Sequence, residues 1–346
     1  MMKSNIKILA LTLFLSISLV IGQIDNTQII SKTGTTAASF LKISPDARSA
    51  AMGNAFIAMP GDISSMFWNP AGLDYLTQSE VKFVQSRWIA DLDYTFAAFA
   101  MKLPGIGTIG LMAQGLSVGE DLVRTEEKPH GTGELWDAQD LAISASISRR
   151  LTDHFSIGGN AKYISQRIWH SQASTFALDF GSLYVMPFYG IRLAAVLSNY
   201  GGKMQLSGRD LFFSNDPDVN NNGTVQFVNS EYQTGRFPLP VTFRVGLSGE
   251  FMKTSFIKWT WAADAQHPND NLESVNVGTE IGIMETMFLR GGYSNLFLDT
   301  AEDGLTLGFG LNYRIWGSSS ILKVDYAYAD FGRLKDVQRF ALGITF

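Results

Sequence analysis

The sequence predicts an all-β protein, a 14-stranded antiparallel transmembrane β-barrel, and three observations lead to this fold class. From residue 79 onward, apolar residues alternate with small or polar ones at the period of two that a strand with two different faces requires. Charged residues make up 17% of the chain, whereas typical soluble domains have roughly 25%. The connections between the predicted strands are sorted by length, as they are in outer-membrane barrels.

Composition and charge also exclude several classes of function. The formal net charge is -5 and there is no sustained basic patch, so we expect no nucleic-acid partner. The chain has no cysteine, which excludes disulfides and thiolate metal sites. With 46% hydrophobic residues, the composition fits a membrane protein, for which outer-membrane lipid is the first expected partner.

Residues 1–22 have the form of a signal peptide. Lys3 and Lys7 precede an apolar run over 8–21, and Gly22 supplies a small residue at the end of it. The alternative is a membrane anchor, which would need about 20 apolar residues. No later segment approaches that length, so an exported protein that is integral to a membrane must cross it as a barrel.

The alternation is clearest near the C-terminus, where Leu, Leu, Phe, Leu and Tyr in 305–314 interleave with Thr, Gly, Gly, Asn and Arg. A soluble sandwich would carry Lys and Glu on its polar face, whereas small residues suit the lumen of a barrel. Fourteen such segments assign the barrel to residues 79–346. They begin near Ser79, Leu92, Gly105, Asp137, His154, Gln172, Tyr189, Pro238, Thr254, Leu272, Thr286, Asp303, Ser318 and Leu334.

The connections support the same topology. Long polar stretches, 120–136 and 202–237, follow the third and seventh predicted strands, while the even-numbered strands end in tight turns such as 103–105 and 316–318. Long outer loops and short periplasmic turns are typical of outer-membrane barrels. The sequence therefore predicts an outer-membrane location.

Two motifs match known catalytic or cofactor patterns without their context. Residues 105–110 read GIGTIG and 115–119 read GLSVG, but both lie in an extended region where the dinucleotide fingerprint and the nucleophile elbow each need a helix. The four histidines show no ligand spacing. We therefore expect no enzyme, no cofactor and no metal centre of this kind.

A calcium site is a weaker alternative in the long loop. Asp216, Asp218 and Asn220 place oxygen side chains at alternating positions, as in a calcium loop. The glycine is displaced from the EF-hand position, and Phe227 stands where that motif needs Glu. A plain polar turn is the other interpretation.

Residues 23–78 are predicted to form an N-terminal extension and plug. They are rich in Ala, Met and Gly, and a 14-stranded barrel leaves a lumen that its own side chains do not fill. Asn69 and Pro70 are expected to end a helical turn, and Gly72 to reverse the chain. A small periplasmic subdomain is the alternative.

The stretch ARSAAMGNAFIAMPGDISSMFWNPAGL, residues 47–73, resembles the N-terminal motif of the PorV/PorQ family of outer-membrane proteins and the hatch of FadL-type channels. Asn54 and Ile63 depart from the usual Gly and Ala. The residues of the plug motif are Arg48, Met52, Gly53, Asp62, Trp68, Asn69, Pro70, Ala71 and Gly72.

The resemblance implies two functions. PorV-like proteins belong to the type IX secretion system and bind its translocon or the C-terminal domain of secreted cargo. Leu211, Phe212 and Phe213 in the long loop would then dock a partner, unless that loop folds onto the barrel as a lid. FadL-like barrels instead carry hydrophobic small molecules, which would need an apolar cavity beside the plug. Its candidate lining, which is alternatively only lumen filling, comprises Met52, Phe56, Met66, Phe67 and Trp68.

Overall fold

The computed structural model describes residues 32–187, 190–217, 227–298 and 300–346, and in this part of the chain 14 long strands form one closed antiparallel sheet. The predicted signal peptide lies outside the described residues. The strands are β1 (Glu80–Arg87), β2 (Asp93–Leu103), β3 (Gly107–Leu122), β4 (Leu135–Arg150), β5 (Phe155–Ile168), β6 (Ser171–Val185), β7 (Arg192–Gly201), β8 (Thr242–Lys253), β9 (Ile257–Pro268), β10 (Ser274–Ile283), β11 (Met287–Leu296), β12 (Leu305–Arg314), β13 (Ile321–Asp330) and β14 (Asp336–Thr345).

Each strand pairs with its neighbour in the chain, and β1 pairs with β14 from Glu80 opposite Thr345 to Ser86 opposite Arg339. This closure confirms the predicted 14-stranded antiparallel barrel. The largest difference from the predicted strand starts is at β8, which begins at Thr242 instead of Pro238. Prolines 238 and 240 lack the N–H that a ladder needs, so pairing starts only after them.

The wall has an apolar outer face and a polar inner face. In β1, Val81 and Phe83 are exposed, whereas Glu80, Lys82 and Val84 are buried. The same period repeats around the sheet, and in β14 the exposed side chains are Phe340, Leu342 and Ile344. An outer surface of this composition fits lipid.

The connections differ in length between the two ends of the barrel. The loops 123–134 and 202–241 follow odd-numbered strands, at what we call the long-loop end. Even-numbered strands end in short turns: 104–106, 151–154, 186–191, 254–256, 284–286 and 315–320. GIGTIG spans one of these turns and enters β3, and GLSVG lies within β3, so neither precedes a helix.

The 202–241 loop has strands of its own. Met204–Gln205 pairs with Arg236–Phe237, and Phe212–Asn215 pairs with Val228–Glu231, which we call the loop hairpin. Ser207 and Gly208 extend β6 by pairing with Gln172 and Ser171. The described parts of the loop therefore contain paired strands.

Residues 32–78, which we call the N-terminal segment, pack against the inner faces of the strands. The segment contains α1 (Ala47–Ala51), α2 (Ser65–Trp68) and two short 3-10 helices, Ser39–Lys42 and Pro70–Tyr75. In the described residues, no helix is long and apolar enough to cross a membrane.

The N-terminal segment extends from one end of the barrel to the other. At the long-loop end, Lys42 forms an ion pair with Asp270, 2.7 Å between Nζ and Oδ2. At the short-turn end, Asp74 accepts a hydrogen bond from Thr108 and another from the Arg150 backbone N–H. The segment is thus attached to the wall at both ends.

Inward-facing glycines let the backbone of the N-terminal segment touch the wall. A Cβ on Gly278 or Gly292 would overlap the Met52 backbone, and one on Gly158 would overlap Pro70. These strands cannot carry larger residues at the contact points without moving the segment. The glycines are therefore a packing requirement, beyond their effect on strand propensity.

We predict that Gly278→Ala destabilises the protein by about 1–3 kcal/mol, the usual cost of overpacking. The new methyl group would meet the Met52 carbonyl, whereas Gly119→Ala is the matched control because no atom lies near its Cβ position. The measurement is electrophoresis of samples heated to increasing temperatures, in which the folded barrel migrates as a separate band. The temperature at which that band disappears reports the stability. Equal temperatures for both variants would contradict the close contact.

Candidate functional site

A network of buried ion pairs joins the N-terminal segment to the wall, and Arg48 of α1 is at its centre. The Arg48 guanidinium donates two hydrogen bonds to the carboxylate of Glu280 in β10, at 2.8 and 2.7 Å, and a third to Asp62 at 3.1 Å. The paired bonds give the fork geometry that Arg and carboxylates favour. Arg48 thereby fixes α1 to both the wall and the second half of the segment.

Lys82 makes the equivalent contact from the wall side. Its Nζ lies 3.2 Å from Asp46, 2.9 Å from Asp62 and 3.1 Å from the Ser64 hydroxyl. The Lys82 side chain is 1% exposed, so the ammonium depends on these acceptors for its solvation.

The ion-pair network continues through the wall. Arg290 pairs with Glu280 at 2.7 Å and with Asp325 at 2.5 Å, and Lys323 pairs with Glu80 at 2.9 Å. Four cations thus face five carboxylates, and within the described residues Oδ2 of Asp46 and Oε1 of Glu80 have no hydrogen-bond partner.

The two carboxylates of the segment respond differently to this environment. Burial raises the pKa of Asp46 above its ordinary value, and the nearby Lys82 only partly opposes this. Burial acts on Asp62 in the same direction, but Lys82 and Arg48 together hold the pKa of Asp62 well below its usual range. Asp62 is therefore the fixed charge of the segment, and Asp46 is the carboxyl that accepts a proton more readily.

The Asn69–Gly72 turn packs against β4 to β6 at the short-turn end. The Asn69 side chain accepts from the Ala71 N–H and donates to the carbonyls of Ile57 and Ser182. Pro70 begins the 3-10 helix, and the Ala71 carbonyl accepts from the hydroxyls of Ser148 and Ser156.

The expected reversal at Gly72 is not found. Gly72 lies inside the 3-10 helix Pro70–Tyr75, and its missing side chain leaves room for the Ser65 hydroxyl. Consecutive residues with left-handed φ occur earlier, at Gly53 (φ 61°) and Asn54 (φ 63°). The Gly53 N–H donates to Thr306 in β12, so this turn also contacts the wall.

The five residues expected to line a transport cavity pack instead into the main hydrophobic cluster. They are Met52, Phe56, Met66, Phe67 and Trp68, each 5% exposed or less. The Trp68 ring contacts Phe67 edge-on at 5.2 Å, and the Arg244 guanidinium lies 5.2 Å from the Trp68 ring centre.

The loop residues expected to dock a partner lie in or beside the loop hairpin. Phe212 is 58% exposed, Phe213 stacks on Tyr232 at 4.4 Å, and Leu211 is half-buried. Phe227 and Tyr232 add exposed rings next to them, at 65% and 62%. The hairpin thus presents several apolar rings to solvent.

Of the calcium candidates, Asp216 follows the first strand of the loop hairpin, and Asp218 and Asn220 lie outside the described residues. In the described part of the chain, no group of three or more His, Asp or Glu side chains is arranged to hold a metal ion.

Sequence reasoning missed the wall half of the ion-pair network. Glu280 and Arg290 each interrupt a strand that is otherwise free of charged residues, and Lys82 lies between the apolar residues Val81 and Phe83, and this was the available signal. A charge on the lumen side of a barrel needs a partner of opposite sign, but the sequence does not say which.

We predict that two matched substitutions have different effects on stability. Asp62→Asn removes a charge that Lys82 and Arg48 both need and should cost about 3–5 kcal/mol, as breaking a buried pair does. Asp46→Asn should be neutral or slightly stabilising, because burial disfavours the charged form of Asp46 and raises its pKa. Chemical unfolding in detergent measures both.

The pH dependence supplies the control. Because the folded-state pKa of Asp62 is lowered, its contribution is present above the unfolded pKa and is lost as the pH falls through the folded value. The stability gap between wild type and Asp62→Asn should therefore shrink in strong acid. A difference in stability that stays constant with pH would show that the ion pairs of Asp62 do not cause it.

Comparison with known proteins gives one family and a set of structural neighbours. A family model described as type IX secretion system protein PorV matches residues 25–187. Comparison with curated protein sequences gave no match.

The solved structures share the architecture at low sequence identity. The CymD monoaromatic hydrocarbon channel has a TM-score of 0.57 at 11% identity, covering 88% of this chain and 98% of that one. The Pseudomonas putida toluene transporter TodX has a TM-score of 0.55 at 13% identity, with 87% and 97% covered. The Ralstonia pickettii toluene transporter TbuX has a TM-score of 0.51 at 14% identity, with the same coverage.

At these identities the neighbours establish the fold, and the family match covers the N-terminal part of the chain. The matched range contains the plug motif and strands β1 to β6. Together with the apolar outer wall, the two comparisons identify the chain as an outer-membrane β-barrel with the fold of these channels, and its residues 25–187 are similar to the PorV family.

Proposed function

We propose that this protein is a component of the type IX secretion system that docks a translocon subunit or the C-terminal domain of secreted cargo through its long-loop end. The observation that carries the proposal is the loop hairpin with its exposed rings Phe212, Phe227 and Tyr232. Exposed aromatic residues clustered on a structured loop are the usual anchors of a protein interface. The PorV family match supports the secretion system as the source of the partner.

We also propose that the N-terminal segment is a fixed plug, so that the barrel serves as a scaffold. Lys82 of the wall is almost fully buried and pairs with Asp46 and Asp62 of the segment, and Glu280 of the wall pairs with Arg48 of the segment. Withdrawing the segment would leave charges in the lumen without partners, which is costly. A rigid interior suits a protein that presents a surface to others.

The alternative is a channel for hydrophobic small molecules, as the names of the structural neighbours describe those proteins. For this chain, the cluster around Trp68 is packed with buried side chains. Transport would need that cluster to open. The alternative therefore requires a change in Trp68 fluorescence on adding a fatty acid or toluene, and a silent titration against a Trp68→Phe reference would exclude it at this cluster.

We predict that the double variant Phe212→Ser, Phe227→Ser lowers recovery of the partner from native outer membranes at least tenfold. Both rings are exposed, so the barrel should still fold and keep its heat-dependent band in electrophoresis. Quantitative mass spectrometry of co-purified proteins provides the measurement.

The matched control is Glu126→Ser, Glu127→Ser in the 123–134 loop, which changes two exposed residues at the same end of the barrel. That variant should recover the partner as wild type does. If the aromatic double variant recovers as much partner as the control, the loop hairpin is not the docking surface.

A further inference from the structure

One arginine of the wall stands apart from the ion-pair network. Arg339 of β14 is 2% exposed, and its Nε and Nη1 have no hydrogen-bond partner among the described residues. Its guanidinium lies 5.0 Å from the centre of the Trp88 ring. A ring face compensates only part of the cost of burying such a charge.

Arg339 lines a cavity of about 350 Å³ at the long-loop end, between the N-terminal segment and the wall. Its apolar lining includes the rings of Phe40, Trp88 and Phe331 together with Ile43 and Leu116. The exposed residues Ser39 and Lys42 also line it, so the cavity reaches solvent on their side. The volume is near the lower limit of the roughly 300–1,000 Å³ typical of ligand pockets.

The other charged groups of this cavity already have partners. Lys42 is paired with Asp270 at 2.7 Å, and both carboxylate oxygens of Asp303 accept from the Asn295 amide at 2.8 and 2.9 Å. Arg339 is thus the charged group of the lining whose donors are uncommitted. A planar guanidinium with free donors matches a carboxylate, which it can bind through two parallel bonds.

The cavity also adjoins the seam between the first and last strands. Pairing of β1 with β14 stops at Ser86 opposite Arg339, whereas β13 and β14 remain paired as far as Asp336. A groove of about 800 Å³ lies at this end of the seam, and Trp88 lines both the groove and the cavity. The Trp88 ring packs edge-on against Phe331 at 5.2 Å, and Phe331 lines the cavity.

We propose that this cavity, here called the Arg339 pocket, binds a compact aromatic carboxylate. The carboxylate pairs with the Arg339 guanidinium, and the aromatic body packs among Phe40, Trp88 and Phe331. The charge distinguishes such a ligand from a neutral hydrocarbon, and the size of the pocket distinguishes it from a long-chain acid. The proposal is independent of partner docking by the loop hairpin.

The test uses purified protein in nanodiscs of zwitterionic lipid, with empty nanodiscs as the blank. Calorimetric titration compares 3-phenylpropanoate with the uncharged 3-phenylpropan-1-ol. We expect the acid to bind wild type at least tenfold more tightly than the alcohol. Arg339→Met, which keeps the length of the side chain without its charge, should remove that difference.

The matched control is Arg124→Met, since Arg124 is an exposed outer-loop arginine paired with Asp121. It should bind both probes as wild type does. Leu116→Trp fills the pocket and should abolish binding of acid and alcohol alike, which keeps the test valid if Arg339→Met does not fold.

Three results would overturn the proposal. The first is that the acid and the alcohol bind wild type equally. The second is that Arg339→Met binds the acid as wild type does. The third is that hexadecanoate binds wild type more tightly than 3-phenylpropanoate does. Either of the first two results would show that Arg339 does not bind a carboxylate, and the third would show that the pocket prefers long-chain acids. These three binding results do not depend on whether the loop variants recover the partner, so the two proposals are tested separately.

Discussion

A strand that crosses lipid must turn its apolar side chains outward, and this constraint decides where every charge of the barrel wall lies. Val81 and Phe83 occupy the outer face of β1, so Glu80 and Lys82 face the lumen. Away from water, each of these charges needs an opposite charge or a set of hydrogen bonds. The N-terminal segment supplies them, because Asp46, Asp62 and Arg48 lie within reach of the wall.

The same constraint explains why the segment is apolar yet carries charges at a few positions. Its Ala, Met and Gly residues let the backbone approach wall glycines such as Gly278 and Gly292, which brings Arg48 close enough to form two bonds with Glu280. Replacing a buried ion pair by apolar residues is often neutral or favourable for stability. We therefore interpret the ion pairs as contacts that fix the position of the segment relative to the wall strands. The glycines make this position possible because they leave room for the backbone of the segment.

The barrel itself could be predicted from the sequence, since period-two alternation and turn residues are local signals. Strand β12 shows this, because each of its apolar residues was assigned to the correct face. The course of the N-terminal segment could not be predicted, since it depends on contacts between residues far apart in the chain. Gly72 illustrates the limit. A glycine soon after Pro70 predicted a chain reversal, whereas the structure needs glycine there because a side chain would collide with Ser65. Arg339 was indistinguishable in the sequence from an arginine with a partner.

The charged side chains of the lumen differ in how many hydrogen-bond partners they have. Towards the middle and the short-turn end, Lys82, Arg290 and Asp74 are bonded to several partners, which leaves them no capacity for a ligand. At the long-loop end, Arg339 has uncommitted donors and the loop hairpin has exposed rings. The family match covers residues 25–187, so it includes the plug motif but neither the hairpin nor β14. Loops vary more than the elements that carry them, so under the proposed docking function the choice of partner would depend on the 202–241 loop.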